Sequence, residues 1–193
     1  LPGEDDVAQF GALGPAAGIG ILMQSANLPA PGDVRVGAIQ VLEARTTALV
    51  IGNSSTSTSG VLTFYGATVN GLANTILSNE NDLNVTVQRN QGSGNTNFSV
   101  QLQADQDHVI QVNGTGNAGI TVAMAGANSR IVIQGAGTGQ AVLGGLNSSY
   151  SGGTIINAGT LLLTNHGAAG TGVITVNNQG KLSIAENLNV TNT

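Results

Sequence analysis

From Asp33 to Thr193 the chain is written in short β-branched and aliphatic runs separated by Gly, Asn, Ser and Thr, with no apolar spacing that would place a helix. The clearest runs are 38–42, 48–51, 61–64, 83–87, 98–102, 109–112, 120–122, 131–133, 161–163, 173–176 and 182–184. Many follow one another at roughly ten to twelve residues, which suits a sandwich or a solenoid. Internal repetition separates the two. Gly60-Val61-Leu62-Thr63-Phe64, Gly159-Thr160-Leu161-Leu162-Leu163 and Gly180-Lys181-Leu182-Ser183-Ile184 share the pattern Gly-x-Leu-x-apolar, and the last two stand 21 residues apart, about one coil of a parallel β-helix. Each places an alternating apolar pair on one face after a glycine that can turn the corner. The expectation for 33–193 is an all-β, parallel β-solenoid of about seven or eight coils, each advancing about 4.8 Å.

Residues 1–32 have a different pattern and are expected to form a short N-terminal arm. Asp5 or Asp6 is placed to cap a short helix running to about Leu13, where Gly14-Pro15 stops it. Gly18 to Leu22 reads as extended chain, and Pro29-Ala30-Pro31-Gly32 separates the arm from the strand-rich remainder. The arm is expected to cover the end of the coil stack or to reach the open edge of a neighbour, because such a stack leaves unpaired strand groups at each end. Lys181 and Glu186 are a thin defence of the C-terminal edge, which stays strand-like through Leu188-Asn189-Val190. End-to-end homo-oligomers or polymers are the expected partners.

Composition sharpens the picture. Aromatics are 3% and Trp is absent, which fits a narrow interior of Val, Ile and Leu better than an immunoglobulin-like sandwich. Hydrophobic residues are 40%, enough to fill a core, so the low charge does not mean disorder. Charged residues are only 8% and net charge is −5; a mostly uncharged polar surface favours self-association or neutral surface glycans over charged polymers. One lysine and four scattered arginines exclude a phosphate-neutralising face, hence nucleic acid. Cysteine is absent, which removes disulfides, thiolate metal sites and thiol catalysis. No run approaches the roughly 18 apolar residues of a membrane span. The acidic start Leu1-Pro2-Gly3-Glu4-Asp5-Asp6 is unlike a basic secretory signal, so if the protein is exported its signal is expected to have been removed already.

Candidate chemistry is sparse. Asp105, Asp107 and His108 form the densest ionisable cluster, and on an extended segment the two carboxylates would share a face, as in a glycan-processing groove. With no charged partner expected one coil away, a solvated turn before strand 109–112 is the simpler reading, and His166 in Asn165-His166-Gly167 reads as a turn as well. Gly114-Thr115-Gly116-Asn117-Ala118-Gly119 satisfies the dinucleotide glycine pattern, but a strand and not a helix is expected after it, so it reads as a turn. Glu4-Asp5-Asp6 lacks ligands spaced around a loop and reads as a cap or solvated tail, not a calcium site. Asn53, Asn70, Asn113, Asn147, Asn157 and Asn177 recur near strand ends, where side chains satisfy turns and stack as ladders between coils. The sequons at Asn53, Asn84, Asn97, Asn113, Asn147 and Asn189 carry no weight in so Asn-, Ser- and Thr-rich a chain. No catalytic, cofactor or metal residue is assigned, and the chain is not expected to be an enzyme.

Tyr150-Ser151-Gly152-Gly153-Thr154-Ile155-Ile156-Asn157-Ala158-Gly159-Thr160-Leu161 resembles the passenger-associated repeat of autotransporters, whose core reads aromatic-x-Gly-Gly-Thr-x-Ile-x-x-Gly-Thr-Leu. The likeness extends through Gly172 to Val176 and Gly180 to Leu182, covering about 142–184, with 38–60 looking like the more divergent coils beside such repeats. The resemblance implies a right-handed parallel β-helix, secreted or displayed at a bacterial cell surface, with a role in adhesion, aggregation or extracellular structure. It also implies a membrane β-barrel, which is not in this chain; the chain then is either a piece of a longer passenger or leaves the cell another way.

Overall fold

The computed structural model describes residues 6–10, 20–23, 33–42, 48–53, 60–89, 98–185 and 188. Within them the chain is all-β, with no helix. The strands in order are β1 (Val7–Phe10), β2 (Gly20–Met23), β3 (Asp33–Val36), β4 (Ala38–Val41), β5 (Leu49–Asn53), β6 (Gly60–Phe64), β7 (Ala67–Val69), β8 (Leu72–Asn79), β9 (Val85–Val87), β10 (Phe98–Leu102), β11 (Asp107–Val112), β12 (Ala118–Ile120), β13 (Met124–Ala125), β14 (Arg130–Gln134), β15 (Gln140–Leu143), β16 (Gly153–Leu163) and β17 (Ile174–Ile184).

All but one of the strand pairs are parallel. The larger sheet has 13 strands in the order β1-β4-β8-β11-β14-β16-β15-β12-β9-β5-β2, with β17 on β16 and β7 on β8; the smaller has β13-β10-β6-β3. The larger sheet curls because β16 is long enough for its first half to pair β14 and its second half to pair β15. From residue 33 onward, β4, β8, β11, β14, β16 and β17 are six successive strands along one side.

Alternation sets which residues are inside. In β6 and β10 the buried positions are Leu62, Phe64, Phe98, Val100 and Leu102, with intermediate residues between them. Register then stacks like on like: Ile39 beside Leu77, Leu77 beside Ile110, Ile110 beside Ile133, Ile133 beside Ile156. One apolar core results, running from Val36 to Ala169, with Ala8 and Phe10 packed against it.

The exception to parallel pairing is a hairpin. Asn70 and Gly71, at φ 52° and 76°, join β7 to β8 in antiparallel pairing. Two successive positive φ angles are what a two-residue hairpin needs for its twist to match the strands, and Asn-Gly is the pair that adopts them most readily. Ala67 and Val69 lie over Ala38 and Val7 on the outer face of the sheet, a small apolar cluster separate from the core.

The helix expected after Asp5 or Asp6 is not formed. Val7–Phe10 is a strand in register with Ala38–Val41, and the Asp6 carbonyl accepts from the amides of Gly37 and Ala38, so pairing overrides the local cap signal. Asp5 and 11–13, with the 29–32 break, lie outside the described residues. The extended reading near Gly20 holds: Gly20–Met23 pairs with Val50–Asn53 of the same chain.

Candidate functional site

Polar side chains on the outer face of the larger sheet form a column. By register Gln9 stands beside Gln40, Gln40 beside Ser78, Ser78 beside Gln111 and Gln111 beside Gln134. Gln9 Nε2 donates to Gln40 Oε1 at 2.8 Å and Ser78 Oγ to Gln111 Oε1 at 3.1 Å. Asn157 Nδ2 donates to Gln134 Oε1 at 3.5 Å, and Asn177 Nδ2 to Asn157 Oδ1 at 2.7 Å, continuing the column to the last strand. Asn70, at the hairpin tip, bridges it: Gln40 Nε2 donates to its Oδ1 at 3.3 Å, and its Nδ2 donates to Gln111 Oε1 at 3.2 Å. The hairpin therefore leaves Gln40 and Gln111 buried but bonded, as buried amides must be. Asn157 on Asn177 is the ladder the sequence suggested; the glutamines were missed, although Gln9, Gln40, Gln111 and Gln134 each lie directly next to an inward apolar residue and so face outward.

The turns after this column also stack. Asn84 Oδ1 accepts from the Asn117 amide at 2.9 Å, and Asn117 Oδ1 from the Gln140 amide at 2.9 Å, so each asparagine ties its turn to the next. A Cβ on Gly114 or Gly116 would come closer than 3.0 Å to backbone atoms of Asn81 or Leu83, whereas one on Gly119 would make ordinary contact with Val142 and Thr86, the nearest atom being Val142 Cβ at 3.5 Å. The dinucleotide-like glycine pattern is thus a close approach of backbone to backbone, followed by β12 and not a helix. Beside these turns lies a cleft of about 470 Å³ lined by Glu80, Asp82, Asn113, Thr115 and Thr138, among others. Glu80 Oε1 already accepts from Ser78 Oγ at 2.6 Å, Asn70 Nδ2 at 2.7 Å and Asn113 Nδ2 at 3.2 Å.

The ionisable cluster is divided by the strand it begins. Asp107, first in β11, binds Arg130 in bidentate fashion, Oδ1 to Nε and Oδ2 to Nη2, both at 2.7 Å. Arg130 is the charged partner that the sequence pattern did not predict; it stands 23 residues on, in register beside Asp107. Asp105, at φ 60°, accepts from Asn128 Nδ2 at 2.7 Å, a residue of the turn before the neighbouring strand β14. His108 points the other way, fully buried, with Nε2 2.8 Å from the Gln103 carbonyl and Nδ1 without a hydrogen-bond partner. It is not in a solvated turn. Two carboxylates already bonded and a histidine on the opposite side of the strand do not assemble an acid–base pair. His166 is in a turn, as expected. Of Glu4-Asp5-Asp6 only Asp6 is described, and among the described residues no three acidic, histidine or cysteine side chains group to hold a metal.

Burial lowers the His108 pKa from its ordinary value, against the smaller upward pull of the Gln103 carbonyl and Asp107. The unfolded chain then binds a proton before the native one does, so His108 leaves stability intact above about pH 6.5 and erodes it as pH falls below that. We expect wild-type stability to fall with a slope of up to about 1.4 kcal/mol per pH unit there, above the carboxylate range. His108→Leu should flatten that slope in denaturation measured from pH 7 to 5, since the Gln103 carbonyl still accepts from Ser129 Oγ at 2.8 Å. An unchanged slope would remove His108 as the cause.

Tyr150 and Thr154 are held inside the fold. Tyr150 is fully buried, its hydroxyl 2.8 Å from Thr154 Oγ1, which donates to the Ala169 carbonyl at 3.1 Å. Burial pushes the phenol pKa well above its usual range, with the Thr154 contact acting against it. Gly153 holds φ 94°, a conformation that side chains resist, where the chain enters β16.

Comparison with protein-family models, curated proteins and solved structures finds no match for this chain. Among the described residues no helix is long and apolar enough to cross a membrane.

Proposed function

We propose that the chain is a right-handed parallel β-solenoid serving as a structural or adhesive scaffold, secreted or displayed at a bacterial surface, and that it does not catalyse a reaction. The observation that carries this reading is the use made of its polar side chains. Gln9, Gln40, Asn70, Ser78, Gln111, Asn157 and Asn177 bind one another along the outer face, and Asn84 and Asn117 bind backbone amides of the neighbouring turns. Parallel partners 20 residues apart, as at Asn157 and Asn177, to 38 apart, as at Ile39 and Leu77, are spacings of one coil. On this reading 33–193 holds six coils, fewer than the sequence suggested, because the early coils carry the hairpin and longer connections. The autotransporter-like repeat at about 142–184 supports the surface assignment, and copies associate through the coil ends.

A glycan-binding module is the second reading, favoured by the cleft beside Glu80 and Asp82; a polysaccharide-processing one would need chemistry there or at Asp107. The scaffold reading expects no cleavage of acidic or neutral glycans. Asp107→Asn should change stability by less than about 1 kcal/mol, because its ion pair is two-fifths exposed. Cleavage abolished by Asp107→Asn would overturn it, and retention of a defined sugar on a glycan array would favour the cleft.

A further inference from the structure

We infer that a second copy of this chain stacks head to tail on the β17 end, its β1 lying beside Thr175–Asn178 and its β2 beginning beside Ser183 and Ile184. This rests on the stacked-coil reading above and adds the partner and its register.

Among the described residues β17 pairs only with β16, and it repeats the inner pattern of that strand. Ile156, Leu161 and Leu163 are buried and stand in register with Val176, Leu182 and Ile184, which are 47%, 36% and 44% exposed. At the other end, β1 and β2 are the outermost strands of the larger sheet. Ala8 and Phe10 are inward on β1 and Gln9 is exposed outward. Following the pairings from strand to strand puts Gln9 and Asn177 at the same position of the amide column, as its two ends. The same tracing puts Ile21 of β2 in line with Ile51, Val87, Ile120, Leu143, Leu163 and Ile184. A copy translated along the stack therefore brings Gln9 beside Asn177 and Ala8 beside Val176, in the parallel orientation that successive strands have within one chain. It continues both the amide column and the apolar column. Exposed strand edges template this pairing, and a heterologous contact of two different ends does not close, so it propagates as a filament. Since β1 and β2 pair with β4 and β5 of their own chain, the contact is coil on coil and exchanges no strand.

The chain has no cysteine, so introduced pairs report one contact each. Oxidised Gln9→Cys/Asn177→Cys protein should give a ladder of covalent oligomers, because the two positions are roughly 30 Å apart within one stack and adjacent across the junction. Asn177→Cys alone should give no covalent dimer. Wild-type protein should show concentration-dependent growth by sedimentation and unbranched filaments by electron microscopy. Val176→Lys, at an exposed position, should keep the circular dichroism spectrum and raise the concentration needed by roughly tenfold. Protein that stays monomeric, or dimers from Asn177→Cys alone, would overturn the inference. A Gln134→Cys/Asn157→Cys pair oxidised in parallel tells which reading has failed. If it closes within the monomer while no filament forms, the coils stand and the junction does not; if it stays open, both fall.

Discussion

Gly116→Val is expected to destabilise the protein by about 3 kcal/mol or more, lowering the melting temperature by roughly 6 to 12 °C in a domain of this size. The Cβ of any side chain at Gly116 is driven into the backbone of Asp82 and Leu83, and backbone cannot swing aside as a flexible side chain can. Nor can the turn rise to make room, because a Cβ on Gly139 would already meet the Gly116 carbonyl from the other side. Two comparisons isolate the cause. Gly71→Ala meets nothing within 4 Å and costs about 1 kcal/mol through its positive φ alone. Gly119→Ala, in ordinary contact with Val142, should cost less than about 1 kcal/mol. Thermal unfolding of the three variants checks the order. A Gly116→Val protein as stable as Gly119→Ala would mean that the turns do not stack at this distance.

Tyr150→Ala should cost about 3 to 5 kcal/mol, the range for removing a buried ring and leaving a cavity. The ring is closed in, since a Cβ on Gly170 would come 2.7 Å from Tyr150 Cε2, and the hydroxyl reaches Thr154. Tyr150→Phe keeps the ring and loses the hydroxyl's 2.8 Å contact with Thr154 Oγ1 and its long 3.4 Å one to the Ala168 carbonyl, while Thr154 retains the Ala169 carbonyl, so the cost falls to about 1 to 2 kcal/mol. Denaturant unfolding separates the two. Equal costs would show that the hydroxyl and not the packing holds this segment.

Much of this was legible in the sequence, and the failures have physical reasons. The strand at Phe98–Leu102 was given by its alternation; β17 appeared as two runs and β16 only as its second half, 161–163, because Asn157 to Gly159 and Asn177 to Gly180 look like turns. In the structure those polar residues stay paired within the sheet, Ala158 with Gln179 and Gly159 with Gly180. β8 was missed because Leu72-Ala73-Asn74-Thr75-Ile76-Leu77-Ser78-Asn79 alternates poorly; its buried Ser78 and Asn79 find partners in residues distant in the chain. The Asn70-Gly71 hairpin signal was present and was absorbed into a general reading of asparagines at turns. Arg130 escaped notice as the Asp107 partner because the spacing of 21 seen near the end does not hold there: it is 23 at that pair and 33 at Ser78 and Gln111. A site built between parallel strands at unequal sequence separations is hidden from any search at one fixed offset. The three residues 105, 107 and 108 looked like a cluster because alternation was applied to the carboxylates but not to the histidine between strand faces.

The stacked-coil proposal is tested most directly by cysteine pairs placed along the amide column. Gln9→Cys/Gln40→Cys, Gln134→Cys/Asn157→Cys and Asn157→Cys/Asn177→Cys each join neighbouring strands, about 4.8 Å apart, and should oxidise to intramolecular disulfides. Gln134→Cys/Asn177→Cys skips a strand, a separation of roughly 10 Å, and should stay reduced within the monomer. Closure of the three neighbouring pairs with the skipped pair open is the predicted result; a skipped pair that closes within the monomer, or neighbouring pairs that do not, would contradict the stack.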